Sequence, residues 1–377
     1  MKIGVFACCL RAYGGGEKYV LELAQALAQE NEVELLVSED FDPQVFKSRL
    51  DIDLARYVVK DLRERYPAIG GLWFKRRLVK NIFLSRMTAK YDVIIYQSGQ
   101  TEDLSYIFPS RAKKSVLLIQ VPPRDINETL SKRLRLFCDP DLQTYDIILA
   151  YSEFTRRWIQ KRFRRRVEVL YPPIKLPPYT ATPKKKIILS VGRFFVGFHN
   201  KKQLELIRAF KQLYGESDSL EGWEFHLAGG TYDNVPDRSY KEECETESHG
   251  YPVRFHFNAE FDTLVNLYRR SALFWHATGL NEDEYKNPQF LEHFGMTTVE
   301  AMSMGCVPVV INKGGQKEIV RHGIDGFLWN TIAELNEYTL RLVENRQKLE
   351  KFRKEAVEGS GRFHVSKFQK KAKQLLT

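Results

Sequence analysis

Strand-length apolar runs alternating with helical periodicity, a proline-rich break near the middle, and a second alternation of similar size predict an α/β protein. The expected architecture is two Rossmann-like domains, each with a parallel sheet covered on both faces, facing each other across a cleft. A length of 377 residues leaves room for two or three domains. With 43% hydrophobic against 28% charged residues the chain can fill real cores, which excludes a largely disordered or collagen-like protein.

The first strand is KIGVFACCL, followed by the glycine turn GGGEKY and a helix whose apolar face runs through Tyr19, Leu23, Ala26 and Leu27. One lysine before a short apolar stretch imitates a secretion signal. The run stops at Arg11 and no small-residue cleavage site follows, so a buried strand explains it better. VELLV, DVIIYQS, SVLLIQV and DIILAYS continue the sheet. Residues 171–186, YPPIKLPPYTATPKKK, then place five prolines in a stretch that can be neither a continuous helix nor a central strand. The rhythm restarts with IILSVG and continues through WEFHLAGG, VRFHFN, ALFWHAT, VPVVI and GFLW. Domains are accordingly expected over 1–172 and 187–360, with a linker at 173–186 and a closing helix over 361–377 that packs back on the first domain.

The longest apolar runs, such as 3–10 and 307–311, fall far short of the ~20 residues a helix needs to cross a bilayer. Five cysteines (Cys8, Cys9, Cys138, Cys244 and Cys306) are odd in number, scattered and without metal-ligand spacing, which fits reduced packing residues in a cytoplasmic protein. The net charge of +10 implies attraction to something anionic: nucleic acid, lipid headgroups or a phosphorylated substrate. It is concentrated in the first half, at Lys75, Arg76, Arg77, Lys80, Arg86 and Lys90, and again at Arg156, Arg157, Lys161, Arg162, Arg164, Arg165 and Arg166. Residues 69–91 interleave the first set with Leu72, Trp73, Phe74, Leu78, Ile82, Phe83 and Leu84. That pattern suits either a helix lying on an anionic membrane surface or a core helix with a solvated basic face.

The most informative stretch is EHFGMTTVEAMSMGCVPVV, residues 292–310. Gly295 can open a helix and Gly305 close it, with VPVVI following as a buried strand. Glu292 then precedes the helix and Glu300 lies inside it. Both can point to one helix end, where first-turn N–H groups offer hydrogen bonds to an anion or to sugar hydroxyls. A chance pair of surface acids is the alternative.

The whole segment, which reads ExFGxxxxEAMxxGxxPVV, resembles the corresponding element of the GT4 family, retaining glycosyltransferases of the GT-B fold. The likeness extends through Gly314-Gly315-Gln316-Lys317-Glu318-Ile319-Val320, similar to GGxxEIV, and His322-Gly323-Ile324-Asp325-Gly326, similar to GxxG. Gly14-Gly15-Gly16-Glu17 resembles the family's GGxE turn, Tyr151-Ser152-Glu153-Phe154-Thr155 its SxFT turn, Tyr171-Pro172-Pro173 its interdomain hinge, and Ser190-Val191-Gly192-Arg193-Phe194 its SVGRL strand end. The likeness implies a hexose passed with retention from a nucleotide-diphosphate sugar, GDP- or UDP-linked, to a hydroxyl of a glycan or lipid-linked acceptor. It implies neither a cofactor nor a metal. Arg193 and Lys202 would hold the diphosphate and offset charge as the glycosidic bond breaks, with Lys201 an alternative because residues 195–199 lengthen the loop. Glu292 would face the transferred sugar and Glu300 the ribose hydroxyls. Phe294, Gly295, Met296 and Thr297, together with Gly15 and Gly16, would complete the donor site, and Tyr13 and Gln120 would lie on the acceptor side.

The chain departs from the family at one point. Many relatives carry a histidine in an H-x-P pattern beside the donor sugar, where this chain has Gln120-Val121-Pro122; glutamine can hydrogen-bond but cannot become cationic. His276, in FWHATG, is either functional or a packed strand-end residue. The acids Glu282, Asp283 and Glu284 lack metal-ligand spacing. FWHATG and NKKQ are also similar to an Alg11-type mannosyltransferase subgroup, which favours GDP-mannose. Family members that extend lipid-carried glycans tilt residues 69–91 toward an anionic membrane surface and the chain toward a peripheral place at the inner face of a membrane. Two other functions are possible in principle. A GT-B-fold sugar-nucleotide epimerase would need additional acid/base residues that the sequence does not offer. A basic nucleic-acid-binding protein would leave the paired glutamates and glycine turns unexplained, so no nucleic-acid partner is expected.

Overall fold

The computed structural model describes residues 1–7, 10–62, 73–98, 107–123, 140–197 and 199–376. They form two compact units, Met1–Pro173 together with Val365–Thr377, and Ile174–His364.

Among its described residues the first unit carries seven parallel strands: β1 (Lys2–Ala7), β2 (Glu32–Val37), β3 (Val58–Asp61), β4 (Val93–Gln97), β5 (Lys114–Ile119), β6 (Ile147–Ala150) and β7 (Val167–Val169), in the order β3-β2-β1-β4-β5-β6-β7. Alternate side chains feed two core layers. Ile3, Val5, Leu35 and Val116 pack with Tyr19 and Leu23 of the Gly15–Ala28 helix, while Phe6, Leu36, Ile94 and Leu117 line the other face. The apolar runs of the first half correspond to the five strands β1, β2, β4, β5 and β6. The two that the pattern does not announce, β3 and β7, are the sheet's edges. An edge strand needs less apolar surface, and β3 leaves Val58 and Val59 exposed. Glu34 on β2 is buried among Lys60 at 2.6 Å, Lys2 at 3.0 Å and the Tyr91 hydroxyl at 2.6 Å. Burial opposes its ionisation, but these partners outweigh it and hold the carboxyl at about 2. The closing helix, Val365–Leu376, packs here, with Phe368 edge-on to Tyr19 at 5.6 Å and Lys373 paired with Glu30 at 2.7 Å.

Of the basic segment, residues 69–72 lie outside the described residues, and a helix runs over Trp73–Thr88. Toward its end Leu84 is buried, and Phe83 and Met87 pack on the same core layer, while Ile82 and Arg86 are exposed. Among the described residues no helix is long and apolar enough to cross a membrane.

The second unit has six parallel strands: β8 (Lys185–Val191), β9 (Glu224–Gly229), β10 (Val253–Phe257), β11 (Ser271–His276), β12 (Val307–Ile311) and β13 (Phe327–Trp329), ordered β10-β9-β8-β11-β12-β13. Its core centres on Trp275, Trp329, Phe210 and Phe225. Strand order reverses between β8 and β11, and in such sheets ligands bind beyond the carboxyl ends of the strands at that point. The ends of β8 and β9 approach so closely that a Cβ on Gly229 would lie 1.9 Å from the Gly192 carbonyl oxygen. Each unit is thus a Rossmann-like α/β domain.

Candidate active site

The reversal in the second unit brings together the loops after β8 and β11. Beyond β8, Arg193 donates to the Tyr232 hydroxyl at 2.7 Å, and its guanidinium lies 5.2 Å from the Phe195 ring centre. The following loop spends two non-glycine residues at positive φ, His199 (69°) and Lys202 (58°), before the Gln203–Glu216 helix starts. This left-handed geometry turns the two adjacent lysines toward different partners. Lys201 reaches Glu292, with Nζ 2.7 Å from Oε2. The Lys202 ammonium is instead 3.7 Å from Glu282 and 4.0 Å from Glu205. The residue expected beside the diphosphate therefore does not meet Glu292, and its neighbour does.

Glu292 and Lys201 are only 14% and 16% exposed. His276, the last residue of β11, is buried and places Nε2 2.9 Å from the same Glu292 oxygen. Burial works against a charge on Glu292, yet the Lys201 ammonium and the His276 hydrogen bond prevail and hold its carboxyl well below the usual range. Burial pushes the His276 imidazole down, so it is neutral at pH 7 and donates its Nε2–H to the carboxylate. His199 and His293 stack edge-on with ring centres 3.8 Å apart, and burial also lowers His199 well below its ordinary value.

Gly295 begins the next element at φ 115° and caps the Met296–Ser303 helix. A Cβ there would lie 2.7 Å from Gln316 Nε2 and would push that amide aside, while the positive φ itself favours glycine. Phe294 is buried edge-on against Phe363 at 5.1 Å, while Met296 and Thr297 are half-buried in the first turn, where backbone N–H groups lack intrahelical acceptors. Glu300, one turn on, is buried and accepts the Tyr268 hydroxyl at 3.0 Å. Burial and the neighbouring Glu300 charge push that phenol well above its ordinary value, so it stays a donor. Gly314 and Gly315 fold against the Glu292 backbone. Gly315 N–H donates to the Glu292 carbonyl at 2.7 Å, and a Cβ on Gly314 would lie 2.2 Å from that oxygen.

The acidic loop is answered by lysines: Lys317 binds Glu284 at 2.8 Å, and Lys313 donates to the Glu282 carbonyl at 2.6 Å. Among the described residues no group of three His, Cys, Asp or Glu side chains is placed to hold a metal ion.

The first unit repeats the logic at its own reversal, between β1 and β4. Gly15 and Gly16 open the Gly15–Ala28 helix, and Gly14 N–H donates to Glu17 at 2.8 Å. Gln120, beyond β5, donates to the Gly16 carbonyl at 2.9 Å and accepts from Gln97 at 2.9 Å. Tyr13, at φ 43°, accepts the Asp42 N–H on its hydroxyl at 2.8 Å and packs on Phe46. Sequence reasoning missed Gln97, Tyr268 and Gln316. Only Gln97 carried a signal, a polar residue ending an otherwise apolar strand.

The family model described as "Glycosyl transferases group 1" matches residues 175–358, and that described as "Glycosyltransferase Family 4" matches residues 13–176. The chain is 24% identical over 434 residues to GDP-Man:Man(3)GlcNAc(2)-PP-Dol alpha-1,2-mannosyltransferase of Dictyostelium discoideum, covering 98% of this chain and 83% of that protein. It is 24% identical over 370 residues to alpha-1,3/1,6-mannosyltransferase ALG2 of Mus musculus, covering 84% and 81%. Among solved structures, Anabaena Alr3699/HepE in complex with UDP and glucose superposes with a TM-score of 0.71 at 17% identity, covering 100% of this chain and 99% of that one.

Proposed function

Because the chain belongs to the GT4 family of glycosyltransferases with the GT-B fold, we propose that it transfers a hexose, with retention, from a nucleotide-diphosphate sugar to a hydroxyl of a glycan or lipid-linked saccharide. The observation that carries this reading is the pair Glu292 and Glu300, placed around one helix N-terminus at the sheet's reversal, with Glu292 ionised against Lys201. Glu300 takes the ribose hydroxyls and Glu292 the hydroxyls of the transferred sugar, where its charge favours a transition state with oxocarbenium character. Arg193 neutralises the diphosphate, and Lys201, the lysine that reaches Glu292, stands between diphosphate and sugar in the role expected of Lys202. Backbone N–H groups of Met296 and Thr297 serve the same anion. The departing diphosphate accepts the proton of the incoming hydroxyl. Gly15 and Gly16 offer backbone to the donor, and Tyr13 and Gln120 of the first unit form the acceptor side, where a neutral Gln120 supplies a hydrogen bond and no charge.

The relatives' names favour GDP-mannose as donor and a lipid-linked glycan as acceptor, in line with an Alg11-like subgroup. An acceptor of that kind places the enzyme at the cytoplasmic face of a membrane, with the basic stretch over 69–91 as its contact.

A thermal-shift screen of the full chain against GDP-mannose, UDP-glucose and ADP-glucose identifies the donor, and transfer with that donor followed by anomeric NMR of the product tests retention. Glu300→Ala should weaken donor binding, Arg193→Ala should cut turnover, and EDTA should leave it unchanged. Unaltered kinetics in both variants removes the proposed site. Absence of wild-type binding to anionic liposomes removes the membrane contact.

A further inference from the structure

Glu292 is held from behind. Its Oε2 takes two donors, Lys201 Nζ at 2.7 Å and His276 Nε2 at 2.9 Å, while among the described residues its Oε1 accepts no hydrogen bond. His276 is buried at the end of β11, with Thr278 Oγ1 3.3 Å from the same ring nitrogen. Its other nitrogen, Nδ1, is buried and has no hydrogen-bond partner among the described residues. A doubly protonated ring would bury an N–H without an acceptor, which costs far more than a bare lone pair, so this geometry selects the neutral Nε2–H tautomer. Among the described residues, the groups that act most strongly on the carboxylate's charge are Lys201 and His199 from the loop after β8 and His276 from β11, with His293 stacked on His199.

From this arrangement we infer that His276 is a positioning residue for catalysis: as a fixed neutral donor it locks the Glu292 carboxylate in one rotamer and keeps it ionised, leaving Oε1 for the donor sugar. The inference rests on the proposed sugar-nucleotide site and assigns a task to a histidine that acts through Glu292. Lys201 alone cannot do this work. A lysine is flexible, and one that also serves a diphosphate is drawn from Glu292 when the donor binds, whereas His276 is anchored in the sheet. His276 thus acts on the sugar end of the donor and not on the nucleotide end, which Glu300 and Tyr268 serve.

The test compares His276→Leu, which keeps the bulk but removes the donor, with His276→Gln, whose amide nitrogen sits near the Nε2 position. Donor turnover, affinity for the matching nucleoside diphosphate and the pH profile are measured on the full chain. For His276→Leu, kcat should fall roughly tenfold to a hundredfold, the loss expected for a hydrogen bond to a charged group. Nucleoside diphosphate affinity should stay within about twofold, and the acid limb of kcat/KM should move to higher pH as Glu292 becomes easier to protonate. His276→Gln should recover most of kcat. Wild-type kcat in His276→Leu, a parallel fall in nucleoside diphosphate affinity, or no recovery in His276→Gln overturns the inference. Should the leucine variant fail to fold, 15N spectra of the histidine-labelled wild-type chain decide: one imidazole held as the Nε2–H tautomer at pH 6 supports it, and a doubly protonated His276 refutes it. A wild-type chain that turns over no sugar nucleotide defeats the proposed function instead, and the tautomer measurement still reports on the hydrogen bond.

Discussion

Two adjacent lysines should behave very differently on removal. Lys201→Met deletes one half of an ion pair that is 2.7 Å long and about 15% exposed on each side. At an effective dielectric of about 20 its gross attraction is about 6 kcal/mol, most of it offset by desolvation. Stripping one partner from such a pair leaves the other charge buried, typically at about 3–5 kcal/mol. His276 still holds Glu292, so the low end applies, about 3 kcal/mol, or roughly 6–12 °C in Tm for a unit of this size. Lys202→Met removes only contacts of 3.7 and 4.0 Å and should cost no more than about 1 kcal/mol. Three of the five tryptophans, Trp223, Trp275 and Trp329, lie buried in the second unit, so tryptophan fluorescence during urea or thermal unfolding is weighted toward it. The pH dependence carries a sign. Glu292 has a folded-state pKa below its unfolded value, so the stabilisation is complete above the unfolded value near ~4.3 and is lost as pH falls through the folded one. The gap between wild type and Lys201→Met should therefore be constant from pH 7 to about 5 and close in stronger acid. Equal melting of the two lysine variants, or a gap that widens in acid, refutes the placement of Lys201.

Tyr268→Phe keeps the packing but removes the hydroxyl 3.0 Å from Glu300, and should cost about 1–2 kcal/mol of nucleoside diphosphate affinity, roughly five- to thirtyfold, with kcat nearly unchanged; isothermal titration and steady-state kinetics separate the two. Gly314→Ala forces a Cβ to within 2.2 Å of the Glu292 carbonyl at φ 58°, so it should destabilise the second unit by more than about 2 kcal/mol and lower kcat as Glu292 is displaced. Glu34→Gln should destabilise the first unit by about 3 kcal/mol at pH 7 in urea titrations. Because the Glu34 carboxyl is held at about 2, that difference should fade as pH drops below the ordinary carboxylate range toward that value.

The interior strands of both sheets were legible because a parallel strand covered on both faces must be apolar throughout, as VIIY, VLLI and VPVVI are. The helix start at Gly295 and its end near Gly305 were legible for a local reason: both glycines adopt positive φ, and the chain around them supplies their geometry. The edge strands β3 and β7 were not: VVKD and VEV are only four and three residues long, too short to stand out as a strand pattern. Nor was it legible which of Lys201 and Lys202 reaches Glu292, because left-handed backbone at His199 and Lys202 re-aims two neighbours that composition treats alike. His276 behind Glu292, Tyr268 behind Glu300 and Gln97 beside Gln120 bridge 16, 32 and 23 residues of chain. Periodicity reports which face a residue occupies on its own element. Which donor stands behind which carboxylate depends on the order of parallel strands, and that order is set by packing of the whole sheet.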